Sequence, residues 1–363
     1  MHKDQAPVYY KDYLQLDKLL ECQELKSKEF GAEAHDETLF IVIHQVYELW
    51  FKQILHELNS VIDLFSSDYI REKNVNIAVS RINRIIEIQR ILNGQLTIME
   101  TMTPLDFLDF RDYLIPASGF QSIQFREIEI LLGLKLEDRL KFAQYSFYNR
   151  LEKKDRDYLS ALEKDPCLLE LVDKWLSRMP FSQSKQYDFW KDYEVSIDKM
   201  ITSDEDVINR NPHFNEKERS FQLKNLEATR ETFEALLDEK QYNKLKQTGH
   251  KKFSHKAALN AVFIHLYRNE PMLNSPFSLM SSLMDLDENF TAWRYRHALM
   301  AHRLLGTKIG TGGSSGHEYL KSTAENNRVF KDLFDISTYL LPRNLRPELP
   351  ERVKSQLRFN YSE

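Results

Sequence analysis

The chain has 363 residues, of which 42% are hydrophobic and 29% charged, so it can bury a large core. Its 50 basic residues are balanced by 55 acidic ones, and this charge gives no argument for binding nucleic acid. Cys22 and Cys167 are far apart in sequence, as expected in a reducing compartment. The N-terminus lacks a signal-peptide pattern and no apolar run is long enough to span a membrane. We therefore expect a soluble cytoplasmic protein.

Glycine is scarce, and long segments repeat apolar residues every three to four positions, a pattern typical of α-helices. The predicted fold class is all-α, a multi-helix bundle with a helical insertion. The predicted helices cover residues 38–64, 74–101, 103–114, 120–150, 251–270, 277–305 and 318–341. Thr103 and Pro104 mark the start of the third helix, because proline is favoured in the first helical turn.

Changes in charge and patterning divide the chain into an arm, a core, an insertion and a tail. Tyr10 and Tyr13 lie in the arm, where they either pack on the chain itself or dock on another subunit. The middle of the chain is more charged and less regular, which favours a helical insertion on the surface of the core. The predicted boundaries are 1–38 for the arm, 39–135 and 251–341 for the core, 136–250 for the insertion and 342–363 for the tail.

Five of the ten glycines fall between Gly306 and Gly316. Glycine lets a backbone approach a ligand closely, so this loop is a candidate binding segment. The helix before it carries His297 on an apolar face with Trp293. His297 is either an axial ligand to a haem iron or a core histidine bonded to a backbone carbonyl, and its spacing alone favours the second interpretation. His302 is offset from that face and is expected to be exposed.

Two helices repeat a phenylalanine followed four residues later by a polar side chain, which puts both on one face. In Phe40–His44 the histidine is either a polar group facing a cavity or a buried polar exception. In Phe107–Arg111 the arginine is costly to bury unless it meets an anion. That anion is either a ligand carboxylate or an acidic side chain such as Asp109.

Several other chemistries lack their signatures. The sequence contains no Glu-x-x-His, as a di-iron carboxylate bundle requires, and no HExxH, P-loop or GxSxG motif. The run from Gly310 to Gly313 does not follow a predicted strand, so it is not a dinucleotide-binding turn.

Four long segments, with the same residues in the same order, resemble the tryptophan 2,3-dioxygenase family, and the similarity extends from Tyr10 to the tail. The segments are residues 40–53, 100–114, 116–126 and 293–316. The resemblance implies an all-α haem b enzyme that inserts both atoms of O₂ into L-tryptophan. The product would be N-formyl-L-kynurenine, in the first step of tryptophan catabolism by the kynurenine pathway.

The resemblance also assigns residues to the cofactor and to the subunit interface. It implies that His297 is the proximal iron ligand, with Trp293 beside the cofactor and Arg126 near a haem propionate. It further implies a homotetramer in which Tyr10 and Tyr13 of the arm enter the active site of a neighbouring subunit.

For the substrate, the resemblance implies that His44 accepts a hydrogen bond from the indole N–H and that Phe40 and Phe107 sandwich the indole. Arg111 would pair with the substrate carboxylate, and Thr311 would hold its ammonium and carboxylate end. Ser118 would lie near the bound oxygen. Whether His44 also removes a proton is left open by the sequence.

Two positions depart from the family pattern. Arg296 stands where asparagine is usual, and His317 stands where tyrosine is usual; neither is an implied ligand. Three other functions would each account for part of the pattern. A haem- or tryptophan-sensing protein without turnover would keep His297 but need not keep His44. A haem dioxygenase acting on a broader set of indoles would not need Arg111 and Thr311 for an amino-acid end. A helical scaffold without a ligand would leave the glycine loop unexplained.

Overall fold

The computed structural model describes residues 7–135, 151–180, 183–184, 187–306 and 327–358. Nearly all regular structure in these ranges is helical. The exception is one antiparallel pair of two-residue strands, β1 (Gln183–Ser184) and β2 (Tyr187–Asp188). The all-α fold class is therefore confirmed. None of the described helices combines the length and apolar character needed to cross a lipid bilayer.

The first half of the chain forms short helices in the arm and long helices in the core. They are α1 (Tyr10–Leu14), α2 (Leu16–Leu20), α3 (Lys26–Glu29), α4 (His35–Phe65), α5 (Glu72–Met99), α6 (Pro104–Arg111) and α7 (Ile123–Leu132). Two single 3₁₀ turns, Asp112–Leu114 and Gly119–Gln121, connect α6 to α7.

The second half continues in the same way. Its helices are α8 (Lys153–Leu162), α9 (Leu168–Leu176), α10 (Phe189–Arg210), α11 (Glu216–Leu237), α12 (Glu239–Gln247), α13 (His255–Leu266), α14 (Pro271–Leu305), α15 (Lys331–Asp335) and α16 (Glu351–Leu357). A 3₁₀ turn, Ile336–Tyr339, follows α15.

Helix α6 shows how local sequence sets a boundary. Thr103 Oγ1 accepts a hydrogen bond from the Asp106 backbone N–H, and the Asp106 carboxylate accepts one from the Thr103 backbone N–H. This reciprocal pair satisfies two amides that a helix start leaves without partners. Pro104 occupies the first helical position, so the predicted start of this helix is confirmed.

Helices α4 and α5 run antiparallel and form one side of the core. The Tyr47 hydroxyl donates to the Leu92 carbonyl at 2.6 Å, and Arg84 pairs with Glu57 at 2.7 Å. As residue numbers rise along α4 they fall along α5, which is the signature of antiparallel packing.

Helix α14 runs parallel to α5, and polar contacts mark their alignment. Residues of α14 at intervals of seven, through side chains or a backbone carbonyl, meet polar groups of α5, as in a coiled-coil seam. They are Ser275 to Glu72, Ser282 to Asn83, the Asn289 carbonyl to Asn93, and Arg296 to the Asn93 carbonyl and Glu100. This seam fixes the axial position of α14, and therefore the height of His297 against α5.

Three predicted helix boundaries are wrong. The predicted helix 120–150 ends at Leu132, because Gly133 adopts φ +122° and a Cβ there would lie 2.7 Å from Leu169 Cβ. Helix α14 begins at Pro271 and continues through Pro276, whereas a start at 277 was predicted. A continuous helix over 318–341 was also predicted. In its described part, residues 327–330 are not helical, and they are followed by the short α15 and a 3₁₀ turn.

The segment before α13 is helical and shares the core of the protein. Phe189 and Tyr193 of α10 are fully buried in the same apolar cluster as Phe51 of α4. The Tyr193 hydroxyl donates to the Tyr339 carbonyl at 2.5 Å, which ties α10 to the end of the chain. The division of the chain into a core and an insertion remains a prediction from sequence.

Candidate functional site

One ring nitrogen of His44, on helix α4, is hydrogen-bonded within the helix itself. His44 Nδ1 lies 2.7 Å from the Phe40 carbonyl oxygen, one turn earlier. A carbonyl only accepts hydrogen bonds, so in the neutral ring Nδ1 carries the proton and Nε2 is left as an acceptor. The local sequence therefore fixes a tautomer that can receive an N–H from a ligand.

His44 is exposed, and the surrounding protein nevertheless lowers the pKa of its imidazole. Its side chain is reached by solvent, yet the pKa of its imidazole is lowered, mainly because protein atoms around it exclude water from the charged form. The Phe40 carbonyl and the Glu48 carboxylate act in the opposite direction. Exposure together with a lowered pKa is what we expect of a ring on the wall of a cleft, which stays neutral below its usual pKa of 6.5.

His297 faces the same region from α14. It is half-buried, and burial lowers its pKa to about 4, with a further contribution from the His44 imidazole. The two rings are thus close enough to interact electrostatically. No hydrogen bond to the His297 ring is formed within the described part of the chain, and the choice between an iron ligand and a core histidine remains a prediction from sequence. A neutral imidazole of this kind is a suitable metal ligand.

Trp293 orients His297. The two rings are parallel, with 5.1 Å between centroids and an interplanar angle of 2°. Trp293 also packs on Phe125 of α7 at 5.2 Å, and its indole N–H donates to the Tyr47 hydroxyl at 3.5 Å. Helices α4, α7 and α14 therefore all help to fix the plane of the His297 ring.

Phenylalanines form an apolar wall beside His44. The Phe40 ring centroid lies 4.1 Å from that of His44 and 5.7 Å from that of Phe107, and Phe110 closes the cluster at 5.5 Å from Phe40. A ring held between Phe40 and Phe107 would need them about 7 Å apart, two contact distances of about 3.5 Å. In this conformation the two rings touch each other, so an indole sandwich requires them to separate.

Arg111 is the last residue of α6, one turn after Phe107. Its side chain is only 15% exposed, and its described acidic neighbour is Asp112 at 3.6 Å, whose side chain is 79% exposed. Such a pair contributes little to stability. The alternative partner Asp109 is exposed, and no ion pair joins it to Arg111 among the described residues.

Arg126 and Ser118 lie on the α6–α7 side of the molecule. Arg126 is 7% exposed, and its Nη1 donates to Glu129 at 2.8 Å. Ser118 begins a 3₁₀ turn, where its hydroxyl accepts a hydrogen bond from the Phe120 backbone N–H at 3.4 Å. The structure gives no contact between Ser118 and either histidine.

The arm tyrosines do not join this site within one chain. Tyr10 and Tyr13 are each 75% exposed. The arm is fastened beyond them, where Gln45 donates to the Cys22 carbonyl at 3.1 Å and accepts from Gln23 at 2.8 Å. Thr311 and His317 lie outside the described residues. His302 is exposed, as predicted, and Arg296 binds α5 as described above.

Sequence patterns missed two polar residues that join helices at the site. Gln124 of α7 donates to the Glu48 carbonyl at 2.8 Å and to the Glu48 carboxylate at 2.7 Å. Glu48 lies one turn after His44, so this pair holds α7 against the histidine-bearing part of α4. Helical periodicity carries no signal for such a pairing between separate helices.

The described residues define an all-α protein in which two histidines from different helices, His44 and His297, are close enough to interact electrostatically, and His44 lies beside an aromatic wall. A single neutral histidine ligand with an aromatic neighbour is a donor set suited to a haem iron. Comparisons with known proteins agree with that class. A family model described as tryptophan 2,3-dioxygenase matches residues 1–340, and the chain belongs to that family.

Similar proteins align over almost the whole chain. A tryptophan 2,3-dioxygenase of Alteromonas mediterranea is 53% identical over 359 residues, covering 99% of this chain and 99% of that protein. A tryptophan 2,3-dioxygenase of Bdellovibrio bacteriovorus is 46% identical, covering 98% and 99%. One from Dictyostelium discoideum is 44% identical, covering 99% of this chain and 90% of that protein.

Proposed function

We propose that this chain binds haem b through His297 and L-tryptophan beside His44, and that the two meet in the cleft between α4 and α14. As a member of its family, the chain is a dioxygenase that inserts both atoms of O₂ into L-tryptophan. The indole C2–C3 bond is cleaved to give N-formyl-L-kynurenine, which begins tryptophan catabolism by the kynurenine pathway. The observation that carries the site assignment is that His44 and His297, on separate helices, are close enough for the His44 imidazole to lower the pKa of His297.

The residues around His297 fit a haem. The ring is neutral across the physiological range because its pKa is lowered to about 4, and a neutral nitrogen is what iron binds. The parallel Trp293 ring restricts its rotation. When bound, the haem iron supplies the activation of O₂, and the protein supplies orientation and electrostatics.

The residues around His44 fit the indole of tryptophan. Its Nε2 can accept the indole N–H while Nδ1 remains bonded to Phe40. The wall of Phe40, Phe107 and Phe110 offers apolar contact to a flat ring and excludes water from that side. In our proposal the indole lies against this wall, or between Phe40 and Phe107 once they part.

The amino-acid end of the substrate is proposed to meet Arg111 and Thr311. The guanidinium of Arg111 suits a carboxylate, and a charge-assisted hydrogen bond of this kind contributes roughly 1.5–3 kcal/mol. Low exposure of Arg111 strengthens that interaction, because less water competes. Ser118 beside the oxygen and Arg126 beside a haem propionate remain part of the proposal.

An absorption spectrum tests the proposal directly. The purified, haem-reconstituted protein is reduced, and L-tryptophan and air are then added. We expect a haem spectrum followed by growth of the N-formylkynurenine band. A haem spectrum without product would instead favour a sensing protein, and failure to retain haem would remove His297 from the ligand role.

We further propose a homotetramer in the cytoplasm. Tyr10 and Tyr13 expose large aromatic surfaces that a second copy of the chain could bury, and both cysteines are free thiols, as expected in a reducing compartment. Size-exclusion chromatography with light scattering should give four chains per particle. A monomer would contradict the role of the arm in a neighbouring site.

A further inference from the structure

A buried carboxylate, Glu129, joins the two helices that flank the His297 side of the cleft. Glu129 lies on α7 and is 3% exposed. One of its oxygens accepts from Arg126 Nη1 at 2.8 Å, and the other accepts from Arg294 Nη2 at 2.9 Å. Arg126 belongs to α7 and Arg294 to α14, so one side chain bridges the two helices.

Arg294 extends this bridge along α14. It stands three residues before His297, and its Nη1 donates to the Asn327 carbonyl at 3.2 Å. Its guanidinium therefore connects three parts of the chain, namely α7, α14 and the backbone at Asn327. The side chain is 7% exposed, so water competes little for these bonds.

Aromatic contacts connect the Glu129–Arg294 bridge to His297. The guanidinium groups of Arg126 and Arg294 lie 5.7 and 6.0 Å from the Phe125 ring. Phe125 packs on Trp293, and Trp293 stacks in parallel on His297. A continuous set of contacts thus runs from the Glu129 carboxylate to the imidazole.

The bridge does more than fill space. Burying a carboxylate is unfavourable unless its oxygens are hydrogen-bonded, and apolar residues of similar volume often stabilise a protein equally well. The charged bridge fixes the direction of both guanidinium groups, since each oxygen accepts from one of them, and its carboxylate offsets part of their positive charge.

We propose that Glu129 is a positioning residue of the haem site. It holds the His297 segment of α14 against α7, fixes the direction of the Arg126 side chain, and offsets part of the positive charge of Arg126 and Arg294 on the side where a haem at His297 would bind. This inference rests on the proposed function, because its electrostatic part concerns a haem at His297. Its geometric part concerns only Trp293 and His297 and is testable without haem.

The first test compares Glu129→Gln with the wild type as haem-loaded proteins. Glutamine keeps the shape but replaces one oxygen with an NH₂ group, which cannot accept a hydrogen bond from a guanidinium, so one of the two bonds is lost. We expect haem to dissociate about tenfold faster, the size of effect seen for outer-shell partners of metal ligands. We also expect a more positive midpoint potential, because loss of a nearby negative charge favours the reduced iron.

Glu57→Gln is the matched control. Glu57 is also a buried carboxylate, 4% exposed, and accepts from Arg84 and Gln53. It lies thirteen residues from His44 on α4, about 20 Å at 1.5 Å per residue. We expect this variant to lose stability while keeping the wild-type haem dissociation rate and potential. Equal effects in both variants would show that Glu129 acts only through stability and would overturn the proposal.

A second test uses the haem-free protein, so that failure of the haem assignment is seen separately. The chain has four tryptophans, which 5-fluorotryptophan labelling makes visible by ¹⁹F NMR, and Trp293→Phe assigns the Trp293 signal. We expect that signal to shift or broaden in Glu129→Gln and to be unchanged in Glu57→Gln. An unchanged signal in Glu129→Gln overturns the positioning role, whereas wild-type protein that never retains haem overturns the proposed function instead.

Discussion

Two histidines, His44 and His265, have the same local geometry in different parts of the molecule. Each donates from Nδ1 to the carbonyl one turn earlier, at 2.7 Å to Phe40 and at 2.8 Å to Ala261. In both, burial by surrounding protein lowers the pKa of the imidazole. Their surroundings nevertheless differ, because His265 is 8% exposed and packs edge-on against Phe277, whereas His44 is exposed and close enough to His297 to interact with it electrostatically.

The comparison shows that neighbouring residues along a helix do not distinguish a structural histidine from a functional one. His265 is the core histidine bonded to a backbone carbonyl that sequence reasoning weighed as an alternative for His297. Its remaining ring surface is filled by protein. His44 is exposed and its Nε2 remains an acceptor, so the distinction lies in how much of each ring the surrounding protein covers.

The largest expected effect comes from removing the imidazole proposed to bind iron. His297→Ala should lower the haem content of the purified protein by at least about tenfold, more than the loss of an outer-shell partner. His265→Ala should keep its haem and lose stability, because a buried side chain leaves a cavity. Haem per chain and far-ultraviolet circular dichroism measure both. Normal haem content and activity in His297→Ala would refute the assignment.

Arg111→Ala should raise the KM for L-tryptophan by about 10- to 100-fold while haem stays bound, since roughly 1.5–3 kcal/mol of charge-assisted bonding is lost. Tryptamine, which lacks the carboxylate, should discriminate little between wild type and variant. Arg90→Ala, which removes an exposed arginine, is the control. An unchanged KM for L-tryptophan would exclude Arg111 from carboxylate binding.

The pH dependence of kcat/KM probes His44. Its pKa lies below 6.5, so the neutral ring with its acceptor Nε2 persists as the pH falls through that value. We expect kcat/KM to stay constant through pH 6.5 and to decline only at more acidic pH, where a protonated ring would oppose the indole N–H. His44→Gln, whose amide does not titrate, should lack this decline. A limb centred at or above 6.5 would contradict the assignment.

The sequence predicted much of the helical fold, because periodicity and caps are local. The start of α6 at Thr103 and Pro104 follows from local sequence alone. Gly133 was placed inside a helix, since its positive φ and close contact with Leu169 depend on tertiary packing. Pro276 was expected to precede α14, yet it is buried within the helix, where packing outweighs the loss of one backbone hydrogen bond.

The sequence predicted some residues of the candidate site and missed others, because contacts between separate helices leave no local pattern. His44, His297 and the two phenylalanines were found through residue type, helical spacing and family resemblance. The bridge between Glu129 and Arg294 spans 165 positions in sequence, and that between Gln124 and Glu48 spans 76. Neither pair shares a helix, so no periodic pattern could reveal them.

The smallest expected effect concerns His265 and stability. Because its folded pKa is lowered from 6.5, the unfolded chain binds a proton at higher pH than the folded chain does. Stability is therefore fully present above pH 6.5 and falls as the pH drops towards the lowered pKa, by at most about 1.4 kcal/mol per pH unit.

His265→Gln should reduce the difference in unfolding free energy measured in urea between about pH 7 and about pH 5.5 by roughly 1 kcal/mol. His213→Gln, at an exposed position, should leave that difference unchanged. An equal pH dependence in wild type and His265→Gln would mean that the His265 ring titrates alike in folded and unfolded chains. His265 would then not be the buried structural histidine with which His44 is compared.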